Sequence, residues 1–93
     1  MKAYAALVDR ALELGFSVLV LDEEGPLMKP SRDVKQIVRC IKSVDLAQLV
    51  FIGPSGQQVG WAAVSDTVDL ADDENVIDCS ASVDWINDVM ATL

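Results

Sequence analysis

Two tight turns are the features that most constrain the fold of this 93-residue chain. The turn 22–25 (Asp-Glu-Glu-Gly) follows the apolar run 16–21, and the turn 53–56 (Gly-Pro-Ser-Gly) separates the runs 48–52 and 58–64. A connection this short joins antiparallel strands, because a parallel pair needs a crossover of about a dozen residues or more. The turns therefore predict two β-hairpins and argue against a doubly wound parallel sheet.

The second strand of the first hairpin is expected at the edge of the sheet. It would run from Pro26 to Lys29, and Pro30 follows it directly. Proline cannot donate a ladder hydrogen bond and is therefore confined to edge strands and strand ends. In the second hairpin, Gly60 is expected to admit the close approach of another backbone or a large side chain.

Apolar residues at helical spacing predict three helices. The first ends at Gly15, and the second is expected to begin at a Ser31 N-cap with Asp33 in its first turn. The third begins at Ser80 or Ser82. The buried stripes of the three helices would be, in order, Tyr4, Leu7, Val8, Ala11, Leu12 and Leu14; Val34, Ile37, Val38, Ile41 and Val44; and Val83, Ile86, Met90 and Leu93.

The elements add up to the order α-β-β-α-β-β-(β)-α, where the bracketed strand is the short run 76–79. We expect a single α+β domain over residues 1–93, with an antiparallel sheet of four to five strands and three helices packed on one face. Hydrophobic residues make up 52 % of the chain, which is enough to form a core. No apolar run approaches the ~18 residues that a membrane span requires, and we expect a cytoplasmic protein that does not bind membranes.

Charge is divided unevenly along the chain. All seven Lys and Arg residues lie in the first 42 positions, whereas residues 43–93 carry nine acids and no base. The net charge is −8. Such an asymmetry concerns the partners of a protein more than its fold.

The charges gather in two places. On the second helix, a basic stripe faces solvent and consists of Arg32, Lys35, Arg39 and Lys42. The acidic segment 66–74 contains Asp66, Asp69, Asp72, Asp73 and Glu74. This segment lacks the alternating Asp pattern of a calcium-binding EF-hand loop, so a solvated acidic loop is the simpler interpretation.

The residue types leave little material for catalysis, and we expect no enzyme, no metal site and no cofactor. The chain has no histidine, which is the commonest general base near neutral pH. Cys40 and Cys79 form no Cys-x-x-Cys pair and have no cationic motif beside them, so burial as thiols is expected. The turn 53–56 lacks the Lys-Ser/Thr ending of a phosphate-binding loop.

The two tryptophans are the strongest aromatic candidates for an interface. Trp61 follows Gly60 on a strand, and we expect it to pack under a helix; an exposed aromatic anchor is the alternative. Trp85 lies roughly 80–100° from the middle of the inner stripe of the third helix. It should be partly exposed, which makes it a candidate interface residue.

Several of these turns and caps recur together in one class of proteins. They are the helix ending in Gly15, the acidic turn at Gly25, the Ser-x-Asp helix opening at Ser31, and the motifs Gly-x-x-Val-Gly-Trp at 56–61 and Glu-x-Val-Ile-Asp at 74–78. In this pattern the chain resembles small uncharacterised proteins of tailed phages and prophages. It departs from them at Cys79, where an aromatic residue would be expected. The resemblance implies a small α+β protein expressed inside a bacterial host, and it supplies no catalytic residues.

The function predicted from these features is a non-enzymatic protein-interaction module. In the leading version, a phage or prophage accessory factor binds a host protein through its acidic surface, for example as a mimic of DNA in a basic groove. A first alternative is a homo-oligomer that pairs the basic stripe of one subunit with the acidic half of another. A second is weak nucleic-acid binding through the basic stripe, which the net charge of −8 opposes.

Overall fold

A computed structural model describes residues 2–66, 75–80 and 83–92 of the chain. It has the predicted α+β architecture, with three helices and a five-stranded antiparallel sheet. The elements are α1 (Ala3–Glu13), β1 (Ser17–Asp22), β2 (Gly25–Pro26), α2 (Val34–Lys42), β3 (Ala47–Ile52), β4 (Gln58–Val64), β5 (Val76–Cys79) and α3 (Asp84–Ala91).

The strands follow the order β2-β1-β3-β4-β5, and every neighbouring pair is antiparallel. The two predicted hairpins are the pairs β1–β2 and β3–β4. Strand β2 lies at an edge, as its prolines indicate, but it is only two residues long rather than four. Past Pro26, one more hydrogen bond follows, from the amide of Leu27 to the carbonyl of Val20 at 2.9 Å.

Helix α1 ends in a Schellman motif at Gly15, as its sequence predicts. Gly15 has a φ of 86°, and its amide donates to the carbonyl of Leu12. The amide of Phe16 donates to the carbonyl of Ala11 at 2.9 Å. Glycine suits this position because an L side chain is strained at a positive φ. The motif turns the chain directly from α1 into β1.

The predicted caps of α2 and α3 are wrong. Asp33, not Ser31, caps α2, since its carboxylate accepts the amide of Lys35 at 3.0 Å; Ser31 instead pairs with Val18 of β1. The N-cap of α3 is Val83, and the hydroxyl of Ser80 accepts the amide of Trp61 at 3.1 Å. A tertiary contact takes the Ser80 hydroxyl, whereas the Ser31 hydroxyl stays local and accepts the amide of Asp33 at 2.9 Å, just before the helix. Ser82 and Leu93 lie outside the described residues.

One core lies between the helices and one face of the sheet. Side chains of β1, β3 and β4 alternate between fully buried and less buried, and the buried set is Val18, Val20, Ala47, Leu49, Phe51, Ala62 and Val64. From the helices, the core takes Leu7 and Val8 of α1, Ile37 and Ile41 of α2 and Ile86 of α3. Val34 was expected in the buried stripe of α2 but is 39 % exposed, because it lies in the first turn, beyond the edge of the core.

Gly60 admits a large side chain, as predicted. A Cβ at this position would lie 2.7 Å from Cδ1 of Ile86 and 3.4 Å from Cζ2 of Trp85. The missing side chain therefore lets α3 lie close against β4. Among the described residues, no helix is long and apolar enough to cross a membrane.

Candidate interaction surfaces

The second face of the sheet is apolar and has no cover among the described residues. We call it the outer face, and it consists of Leu19, Leu21, Val50, Ile52, Trp61 and Ala63. Each of these side chains is half-buried, and none belongs to the core or packs against it. Neighbouring side chains on a sheet shield one another and contribute to this partial burial.

The strand register sets these residues side by side. Leu19 of β1 lies opposite Val50 of β3, and Val50 lies opposite Trp61 of β4. This row of three large apolar side chains crosses the middle of the sheet. In the next row, Leu21 and Ala63 flank Gln48, which is exposed. An apolar centre with a polar margin is typical of a protein-binding surface.

The helices occupy the opposite face and form a single layer. Helix α1 contacts both α2 and α3, and α1 and α2 also contact β1. The molecule measures 37 × 30 × 21 Å. Its shortest dimension fits one layer of helices on one sheet, since each layer is about 10 Å thick. The outer face is therefore the side of the sheet that these helices leave open.

Trp61 belongs to this outer face, so the expectation that it packs under a helix is wrong. Because side chains alternate along a strand, the inward positions of β4 are Gly60, Ala62 and Val64, and Trp61 points the other way. Ser80 holds its backbone: the Ser80 amide donates to the Trp61 carbonyl at 3.1 Å. The tryptophan is thus fixed at its main chain and presented on the open side of the sheet.

Charge is scarce on the outer face. The strands β1, β3 and β4 place no charged side chain there; the charged residue in register with it is Asp78 of edge strand β5, opposite Ala63. A shallow hollow of 160 Å³ at its margin is lined by Leu46, which is 49 % exposed, together with Gln48, Ala63 and the acids Asp22 and Glu23. The apolar centre is therefore bordered by acids at the β1–β2 turn and at β5.

The structure separates the four residues of the predicted basic stripe, three of which lie along α2 and one before it. Lys35, Arg39 and Lys42 are exposed along α2 and, with Val34, Val38 and Ser43, line a shallow open groove of 740 Å³. None of the three cations forms an ion pair within the described part of the chain. They form a second surface, on the helical side of the molecule.

Arg32, the fourth residue of the stripe, lies before α2 and is engaged elsewhere. Its guanidinium donates to the carbonyl of Phe16 at 2.8 Å and to the carbonyl of Leu12 at 3.0 Å. Leu12 lies in the last turn of α1 and Phe16 in the Schellman motif that follows it, at a helix end where a cation is favoured. The role that the structure gives Arg32 is to hold the segment before α2 against the end of α1.

Asp66 also has a structural role rather than an exposed one. Its carboxylate forms an ion pair with Lys2 and accepts the phenol of Tyr4 at 2.8 Å, and its side chain is only 5 % exposed. Asn75 binds the same helix end, because its side-chain oxygen accepts the Tyr4 amide at 3.1 Å. Asp66, the first residue of the acidic segment, and Asn75, which follows the segment, are thus both attached to the start of α1. Asp69, Asp72, Asp73 and Glu74 lie outside the described residues.

Trp85 is partly exposed, as predicted, but its ring packs inward. It meets Phe51 edge-on with ring centroids 4.8 Å apart, and Phe16 at 5.7 Å. Its indole N–H donates to the carbonyl of Val59 at 2.9 Å. These contacts attach α3 to the sheet and account for the position of the ring without a partner protein.

The titratable and metal-ligating groups form no reactive cluster in the described residues. No group of three or more Asp, Glu, Cys or His side chains there could hold a metal ion. Cys40 and Cys79 are free thiols and half-buried. Burial, and secondarily the carboxylate of Asp78, raise the pKa of the Cys79 thiol. Burial also raises the pKa of Tyr4.

The outer face was missed in the sequence, although a signal for it was present. The run 18–21 and the run 49–52 are apolar at every position. Strands with one solvated face alternate between apolar and polar residues, whereas continuous apolar runs are typical of strands covered on both faces. The predicted architecture places helices on only one face of the sheet, so it does not explain why the side chains of the other face are also apolar.

Comparison of the chain with models of protein families, with curated proteins and with solved structures found no match. The surfaces described above therefore carry the functional argument alone.

Proposed function

We propose that this chain is a non-enzymatic protein-interaction module that binds through the outer face of its sheet. The observation that carries the proposal is the row Leu19–Val50–Trp61, three large apolar side chains in register on a sheet face that no described element covers. The largest apolar patch on a protein surface is often functional, and apolar patches bordered by polar residues mark interaction sites. Tryptophan is also enriched among the residues that dominate binding energy.

The proposal moves the binding surface away from the acidic segment. Asp66 is occupied by Lys2 and Tyr4, so it contributes little to an exposed acidic patch. The acids that border the outer face, Asp22, Glu23 and Asp78, would instead lie around the contact and influence which partners approach. A host protein, as the phage resemblance suggests, and a second copy of the chain both remain predicted partners.

Site-specific photo-cross-linking in cells tests the proposal. A photoreactive phenylalanine analogue would replace Val50 on the outer face in one variant. In the matched control, it would replace Val34, the exposed valine of α2 on the helical side. We expect a discrete adduct from position 50 and none from position 34. Adducts from neither position, or from position 34 alone, would contradict the proposal, and the mass of the adduct separates a second copy from another protein.

A second candidate surface is the groove of α2. Its apolar floor of Val34 and Val38 lies beside Lys35, Arg39 and Lys42, a combination that suits an acidic segment with apolar residues or the phosphates of a nucleic acid. Binding there should weaken as salt rises, since charge contributes most of it. A gel-shift series with DNA and RNA, repeated with Arg39→Glu, tests this reading. A gel shift that is unchanged by salt or by Arg39→Glu would contradict binding in this groove.

A further inference from the structure

We infer that the occupant of the outer face is a second copy of this chain, related by a two-fold axis so that two sheets pack face to face. This inference rests on the proposed function and names its partner. In a two-fold interface the same patch serves both subunits, so the patch must be complementary to itself. Two sheets pack in this way at about 10 Å, with a rotation of about 30° between strand directions.

The chemistry of the outer face meets that requirement. Leu19, Val50, Ile52 and Trp61 are apolar, so the centre of two facing copies contains no unpaired ion. Asp78 lies on edge strand β5, outside this centre, and is exposed. A partner that binds through charged groups would instead match the basic residues of α2 or the acids that border the outer face. The polar residue nearest the centre, Gln48, is exposed and has both a donor and an acceptor, so two copies of its amide could bond to each other.

The size of the face is also sufficient for a weak dimer. Strands β1, β3 and β4 have six to seven residues and together cover about 300 Å², and the short edge strands β2 and β5 add about 100 Å². Each copy then contributes about 400 Å² in projection and the pair about 800 Å², which falls in the size range of weak, transient interfaces. We therefore expect a dimer that forms in the micromolar range and dissociates on dilution.

The salt dependence of association distinguishes this dimer from one that is held together by charge pairs. Two copies of net charge −8 carry −16 together, and this repulsion opposes association. Added salt screens it, so a dimer held by the outer face should be as strong or stronger at high salt. A dimer that paired the basic groove of α2 with acids of the other copy would weaken under the same change.

Sedimentation of the purified full chain tests the inference. We expect the weight-average mass to rise from 10.0 kDa toward twice that value between about 5 µM and about 500 µM protein. The rise should be at least as large at about 0.5 M NaCl as at about 0.05 M. A monomer over the whole range, or a dimer weakened by salt, would overturn the inference.

Two substitutions locate the contact. Val50→Lys and Trp61→Lys should each raise the dimer dissociation constant at least about tenfold, because either buries a charge in the interface. Leu14→Lys, at the exposed C-terminal end of α1 and outside both candidate surfaces, should leave it unchanged. Circular dichroism and urea unfolding establish whether each variant is folded. Val50→Thr, which keeps a β-branched shape, replaces a lysine variant that does not fold. A dimer unaffected by the folded outer-face variants would refute the assignment.

The outcomes also distinguish the inference from the proposed function. A monomer whose position 50 still cross-links to another protein in cells would overturn the homodimer and leave the outer face as a binding site. A monomer with no adduct at position 50 would overturn both.

Discussion

Replacing Gly60 by alanine tests how closely α3 lies against the sheet. Gly60 has a φ of 155°, and the added Cβ would lie 2.7 Å from Cδ1 of Ile86, which is fully buried. The unfavourable backbone conformation costs about 1–2 kcal/mol, and overpacking a filled core costs a further 1–3 kcal/mol or so. Gly60→Ala should therefore destabilise the fold by about 2–5 kcal/mol.

Gly25→Ala is the matched control for the backbone contribution. Gly25 has a φ of 123°, but a Cβ there meets no atom within 4 Å. It should cost only the backbone part, about 1–2 kcal/mol. The difference between the two variants then measures the contact with α3.

The double variant Gly60→Ala/Ile86→Val tests the contact directly. Valine lacks the Cδ1 atom that the new Cβ would meet, although Ile86→Val alone costs about 0.5–1.5 kcal/mol. In the Gly60→Ala background it should instead be neutral or stabilising, a coupling of about 1–2 kcal/mol. Urea unfolding followed by tryptophan fluorescence gives all four free energies. Additive effects, or a Gly60→Ala variant no worse than Gly25→Ala, would refute the reasoning.

Three further predictions concern single side chains. Arg32→Ala should cost about 1–2 kcal/mol of unfolding free energy in urea, because the Phe16 carbonyl loses the guanidinium as donor and the Leu12 carbonyl keeps only the Gly15 amide. Lys35→Ala should change it by less than about 0.5 kcal/mol, and equal effects would contradict the structural role of Arg32. Burial raises the pKa of Tyr4, the one tyrosine in the chain. The neutral phenol therefore contributes fully to the free energy of unfolding below about pH 10, and this contribution is lost as the pH rises further. Urea midpoints should therefore fall more steeply above about pH 10 in the parent than in Tyr4→Phe, and parallel curves would argue against this. Asp78→Asn should lower the pKa of the Cys79 thiol and speed its alkylation by iodoacetamide in the folded protein, with no difference once both proteins are unfolded; an unchanged folded rate would count against the influence of the carboxylate.

The elements were largely predictable because they depend on local physics. Tight turns at Gly25 and Gly56 specify antiparallel hairpins, and the Schellman motif at Gly15 follows from one glycine after an apolar stripe. The helix caps were less predictable. Ser31 and Ser80 are good local caps, but their backbone or hydroxyl groups are taken by β1 and β4, which are distant in sequence.

The candidate site was predicted less well than the fold. The charged residues Arg32 and Asp66 stand out in the sequence as candidates for binding. In the structure, Arg32 bonds to the end of α1, and Asp66 bonds to Lys2 and Tyr4. Neither partnership can be deduced from spacing, because each joins segments that meet only after the chain has folded. Trp85 likewise packs on Phe51 across the core.

The sequence by itself determined the class of fold, the antiparallel pairing and the close approach at Gly60, since turns, periodicity and a missing side chain act over a few residues. Only the tertiary structure decided which face of the sheet the helices cover. From Leu49 to Ile52, strand β3 is apolar on both sides, so this pattern does not distinguish the two faces. The placement of α1, α2 and α3 does. That placement buries Phe51 and leaves Val50 and Trp61 on the open side, where the proposed interaction surface lies.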